Sequence, residues 1–138
     1  MIREATPDDM AELMAMLAHL QASSGSLGKF DEDTAKHAVT KLMEADESVI
    51  FRSERGLIAG FTMTPWKTHN WLMAVEMWWW AEDGQWMPLL RKFEEWAIER
   101  GAGEVRMAST IDPVAARLAK VFRRAGYEPR ELCYRKVI

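Results

Sequence analysis

The chain has 138 residues and a net charge of −3, a one-domain length that buries roughly two-thirds of its unfolded surface. No lysine- or arginine-rich stripe stands out to neutralise phosphates, so nucleic acid is not the expected partner. A single cysteine, Cys133, excludes an intramolecular disulfide; with neither a leader nor a run of about 18 apolar residues, a soluble, cytoplasmic protein is expected.

"MIREAT" opens as a short β-compatible run. "TPDDMAELMAMLAHL" then starts a helix, with Thr6 as N-cap, Pro7 at the first helical position, and Asp8 and Asp9 complementing the dipole. Met10, Leu13, Met14 and Leu17 form its apolar face, and His19 lies outside it. After the polar loop "QASSGSLGKF", a second helix begins at Asp31 or Asp33. It carries Ala35, Ala38, Val39, Leu42 and Met43 on one side, with His37 at the surface. The period then shortens. "SVIFRSERGLIAGFTMT" reads as a hairpin turning at Glu54-Arg55-Gly56. The loop from Pro65 to Asn70 holds His69, a solvated histidine or the lining of an acceptor pocket.

"WLMAVEMWWW" is nearly unbroken apolar sequence and suits a central strand covered on both faces. Alternation sends Trp78 and Trp80 to one face and Trp79 to the other, and burial of all three is expected. Otherwise one indole, with Trp86, plugs a cleft or anchors a protein partner. A helix over 88–100 places Leu89, Phe93, Trp96 and Ala97 inward, with Gly101 just past its end. "EVRMAS" is the next strand. Asp112 and Pro113 open a helix bearing Ala115, Leu118, Ala119 and Phe122, which stops at Gly126. "LCYRKVI" closes the chain as a strand in which Cys133 is a packed small residue.

The order β-α-α-β-β-β-α-β-α-β predicts one α/β domain over 1–138 with a mixed sheet and helices on its faces. A ligand in such a sheet lies beyond the carboxyl ends of the strands, near 77–86 and 109–113. No spacing of the three histidines and one cysteine suggests a metal site.

Four phrases in this order, "IREATPDDMAEL", "FRSERGLIAGFTM", "LLRKFEEWAIERGAGEVRM" and "AARLAKVFRRAGYEP", resemble the GCN5-related N-acetyltransferase (GNAT) family over essentially the whole chain. The chain also resembles the compact, tryptophan-rich versions found in bacteriophage genomes. The resemblance implies acetyl transfer from acetyl-CoA to an amine, either a small amine or a protein N-terminal or lysine amine. It implies that the donor's pantetheine arm lies along the fourth strand at Met77, Trp78 and Trp79. The pyrophosphate would then meet N–H groups near Gly84, Gln85 and Trp86. Arg123 and Arg124 resemble residues that meet CoA phosphates, and as part of an amphipathic helix also read as solvated charges. Glu76, which interrupts the apolar strand, is the candidate general base, against the alternative of a strand-end glutamate paired with a basic neighbour.

Two departures from the family pattern stand out. The phosphate loop lacks its glycines: "AEDGQWMP" keeps only Gly84, and Glu82 and Asp83 place negative charge where phosphates would sit. Phe122 stands where the pattern has a tyrosine that protonates the leaving thiolate. Together they favour a pseudoenzyme that keeps the scaffold and binds a protein partner or itself, for instance as a phage virion component. The other hypothesis is an active N-acetyltransferase with an abbreviated cofactor loop.

Overall fold

A computed structural model describes residues 1–66, 70–109 and 115–138. They group into two compact units, Met1–Met107 and Ala108–Ile138. His69, Asp112 and Pro113 lie outside the described residues.

The first unit is built on a five-stranded sheet in the order β1 (Arg3–Glu4), β2 (Ser48–Arg52), β3 (Gly56–Met63), β4 (Met73–Ala81), β5 (Glu104–Arg106). Pairing is antiparallel from β1 to β4 and parallel between β4 and β5. Helices α1 (Met10–Ser23) and α2 (Glu32–Glu44) cover one face. There Leu13, Met14, Leu17 and Val39 pack with Ile50, Leu57 and Ala59 of the sheet. Helix α3 (Trp86–Glu99) covers the other, burying Leu89, Leu90, Phe93, Trp96 and Ala97.

Local chemistry accounts for the ends of these elements. Asp31 caps α2 through the Thr34 N–H at 2.9 Å, and Thr34 hydroxyl donates to the same carboxylate oxygen. At the far end of α3, Gly101 N–H donates to Ile98 carbonyl at 3.0 Å and Ala102 N–H to Ala97 carbonyl at 2.9 Å, the paired bonds of a Schellman stop. Thr6 does not cap a long helix directly. It precedes a 3₁₀ turn, Pro7–Asp9, and its N–H donates to Asp9 at 2.8 Å.

Asp9 is buried, as is Arg52 at the end of β2. Arg3 grips both Asp9 oxygens at 2.7 and 2.8 Å, and Arg52 adds a third contact at 3.0 Å. Arg52 also pairs with Glu12 of α1. Its remaining donors reach the carbonyls of Ser53 at 2.9 Å and Glu54 at 3.0 Å. The composition gives no warning of this ion network, because each member taken alone reads as a solvated charge.

In the second unit, α4 (Ala115–Arg124) ends in the same kind of stop. Tyr127 N–H donates to Phe122 carbonyl at 2.8 Å and Gly126 N–H to Arg123 carbonyl at 3.1 Å. The Phe122 and Tyr127 rings meet edge to face across the turn. The expected closing strand is not formed: residues 127–138 carry no helix or strand. β propensity is realised only where a neighbouring strand completes the ladder, and none of the described residues of this unit is in a strand. Cys133 is consequently exposed, not packed. Among the described residues no helix is long and apolar enough to cross a membrane.

Candidate functional site

Gly60 shapes the centre of the sheet. A Cβ there would stand 2.3 Å from the Val75 carbonyl oxygen and 2.6 Å from the Phe93 ring, so only glycine admits this approach of β4 and α3. Beside it the β3–β4 register slips: Ala59 faces Trp78 while Gly60 faces Glu76, making Met77 the extra residue of a β-bulge. A bulge bends its strand and re-aims the side chains that follow. A glycine inside a strand is the sequence's own signal for such a feature.

The bulge divides the residues expected to hold a cofactor. Met77 turns toward α2, where with Phe61, Leu42 and Ala38 it lines a shallow groove of ≈380 Å³. Trp78 and Trp80 are half-buried against the α1–α2 core, and His19 stacks on Trp80 with ring centroids 5.6 Å apart. Trp79 alone is buried. It meets Trp86 edge to face at 5.3 Å and donates from Nε1 to the Trp86 carbonyl at 3.1 Å. The two indoles thus fasten the end of β4 to the start of α3. Glu76 is half-buried, opposite Gly60.

Glu76 also stands just past the end of β5. β5 pairs with β4 at Met73, Ala74 and Val75 only, while β4 runs on to Ala81. From 76 to 81 the strand therefore passes the end of its parallel neighbour.

The junction after β4 is shorter than the sequence suggests. Helix α3 begins at Trp86 and not at Pro88. Pro88 is tolerated in the first turn because N–H groups there have no partner within the helix. Four residues, 82–85, make the connection. Gly84 adopts φ +73 and a Cβ on it would meet nothing within 4 Å, so backbone conformation, not crowding, asks for glycine here.

Asp83 turns back from this loop into the β2–β3 turn. Its Oδ2 accepts from the Ser53 hydroxyl at 2.7 Å and from the Arg55 N–H at 2.9 Å. Its Oδ1 accepts from the Gln85 N–H, at the cap of α3, at 3.3 Å. Burial pushes the Asp83 carboxyl up, yet the Arg55, Ser53 and Gln85 donors outweigh burial and hold it below the usual carboxylate range. Glu82 pairs with the Arg55 side chain. Nothing in the sequence marks Ser53 and Arg55 as partners of Asp83, because a polar hairpin turn has no local mark of a long-range contact.

Structures similar over the whole chain include a ribosomal-protein-alanine N-acetyltransferase from Brucella melitensis biovar Abortus 2308. It is 16% identical with a TM-score of 0.73, covering 100% of this chain and 98% of that one. An acetyltransferase of Trypanosoma brucei is 11% identical with a TM-score of 0.73, covering 100% and 99%. An aminoglycoside N-acetyltransferase in complex with CoA is 15% identical with a TM-score of 0.73, covering 99% and 93%. The fold is that of the GCN5-related N-acetyltransferases. No protein-family model and no curated protein matches the sequence; the GNAT likeness lies in the path of the backbone.

On this GNAT scaffold the candidate residues form two groups. Trp79, Gln85 and Trp86 come together at the β4–α3 junction, with Gly84 in the connecting loop, whereas Met77 and Trp78 turn toward the α1–α2 face. Arg123 and Arg124 are exposed on α4. Among the described residues no group of three or more His, Cys, Asp or Glu side chains is arranged to hold a metal ion.

Proposed function

We propose that this chain transfers an acyl group from a pantetheine thioester to an amine. The observation that carries this reading is that β5 ends opposite Val75 while β4 runs on to Ala81, with Glu76 as the next residue. A strand that outruns its neighbour offers main-chain hydrogen bonds to an extended ligand, and the amide-bearing pantetheine arm of acetyl-CoA is one. An extended arm of amides is the kind of ligand such a strand takes; at the junction, the Gln85 N–H, one of the donors expected to meet the pyrophosphate, is already held by Asp83.

The amine nitrogen attacks the thioester carbonyl carbon, a C–N bond forms, the C–S bond breaks, and the electron pair leaves on sulfur. Glu76 accepts the proton that the nitrogen loses. The thiolate takes a proton from water. An aminoglycoside and a ribosomal-protein alanine are named as substrates of two similar structures. The acceptor is therefore sought among small amines and protein N-terminal or lysine amines, in the cytoplasm.

Thiol release from S-acetyl-pantetheine or acetyl-CoA, measured over a panel of such amines, tests the reading. Glu76→Gln is expected to lower turnover at least about tenfold with the fold intact; full activity in that variant, or no transfer to any amine, overturns it. A second reading, a non-catalytic protein-binding component such as a virion part, draws on the filled junction and on exposed Leu132, Tyr134 and Val137. It predicts no binding of either thioester.

A further inference from the structure

We propose that Asp83 stands in for the donor's phosphate at the β4–α3 junction, so that this chain selects its acyl donor by the pantetheine arm and not by the nucleotide end. The inference rests on the pantetheine-thioester reading above and narrows its substrate class.

Three donors from two separate elements converge on this carboxylate: the Ser53 hydroxyl, the Arg55 N–H and the Gln85 N–H. Hydroxyl and backbone N–H groups converging on one anion are the chemistry by which a protein holds phosphate. Here the anion is part of the chain, bound at the effective concentration of an intramolecular ligand. The nearby cation is also engaged, since the Arg55 guanidinium pairs with Glu82. Pro88 contributes no N–H to the first turn of α3. A pyrophosphate would have to displace Asp83, strip its hydrogen bonds and lie beside two carboxylates. Its own contacts would merely replace those broken. The phosphates of acetyl-CoA accordingly add little affinity, and a phosphate-free pantetheine thioester is an equally good donor.

Affinities of the full chain for acetyl-CoA and S-acetyl-pantetheine, measured by isothermal titration, test this. In the wild-type chain the two should agree within about threefold. In Asp83→Asn, acetyl-CoA should tighten at least about tenfold while S-acetyl-pantetheine is unchanged; Asp83→Gly, which removes the carboxamide as well, should do the same. A wild-type preference for acetyl-CoA beyond about tenfold overturns the proposal, as do folded variants in which acetyl-CoA gains nothing. Weakening of both ligands together also overturns it and makes Asp83 a brace. If wild type binds neither thioester but Asp83→Asn binds acetyl-CoA, selection by the pantetheine arm is overturned and Asp83 acts as a block alone. If no variant binds either thioester, the pantetheine reading itself falls.

Discussion

Replacing Arg52 with methionine will cost about 3–5 kcal/mol of stability, the usual loss when one partner of a buried ion pair is removed. Urea unfolding followed by tryptophan fluorescence measures it. The loss is large because the methionine fills the space without replacing any donor. Asp9 keeps Arg3 but loses its buried partner, and the carbonyls of Ser53 and Glu54 lose theirs. A loss below about 1 kcal/mol would show that water reaches the network and solvates it. The same network sets a pH dependence. The bidentate Arg3 holds the Asp9 carboxyl well below the usual range; burial opposes this, and the Thr6 N–H and Arg52 add to it. A carboxyl depressed by folding stabilises the native chain fully above its unfolded value of about 4, and that contribution is lost as pH falls below it. Stability should therefore decline below about pH 4, and Asp9→Asn should flatten the decline. Asp31 and Asp83, also depressed, will keep it from vanishing.

Gly60→Ala is the second severe change, with an expected loss of about 3 kcal/mol, at the upper end for an overpacked core. The added methyl meets the Val75 carbonyl and the Phe93 ring together, and Phe93 is fully buried. A ring can shift where a backbone carbonyl cannot, so Phe93→Leu in the same chain should recover only part of the loss. Full recovery would mean that the side chain alone sets the limit. Because Gly60 faces Glu76 across the bulge, the variant should also lose the proposed acyl transfer beyond what its folded fraction explains.

The element order was legible because apolar periodicity carries it: the α3 residues Leu89, Phe93, Trp96 and Ala97 were readable from spacing and are buried as read. The end of the chain was not. "LCYRKVI" has the composition of a strand, but composition cannot supply the neighbour a strand needs. The three tryptophans show the same gap between local and tertiary information. Simple alternation assigns their faces correctly, yet expected equal burial, and only Trp79 is buried. The bulge at Met77 resets the phase upstream of them, and its mark in the sequence, Gly60, lies on the neighbouring strand. At the junction, the missing glycines and the acidic pair Glu82-Asp83 were visible. That Asp83 folds back onto Ser53 and Arg55 was not, since no sequence rule joins positions so far apart.

Exposed hairpin tips are ordinarily where a chain tolerates added sequence. The turn between β2 and β3 is a poor choice for it. Arg52 fixes this turn from one side through the carbonyls of Ser53 and Glu54, and Asp83 draws on it from the other through Ser53 and Arg55. An epitope inserted there would release the start of the chain and the start of α3 together. The loop between α1 and α2, exposed from 25 to 29, is the better place for a label, because it lies far along the chain from both of those attachments.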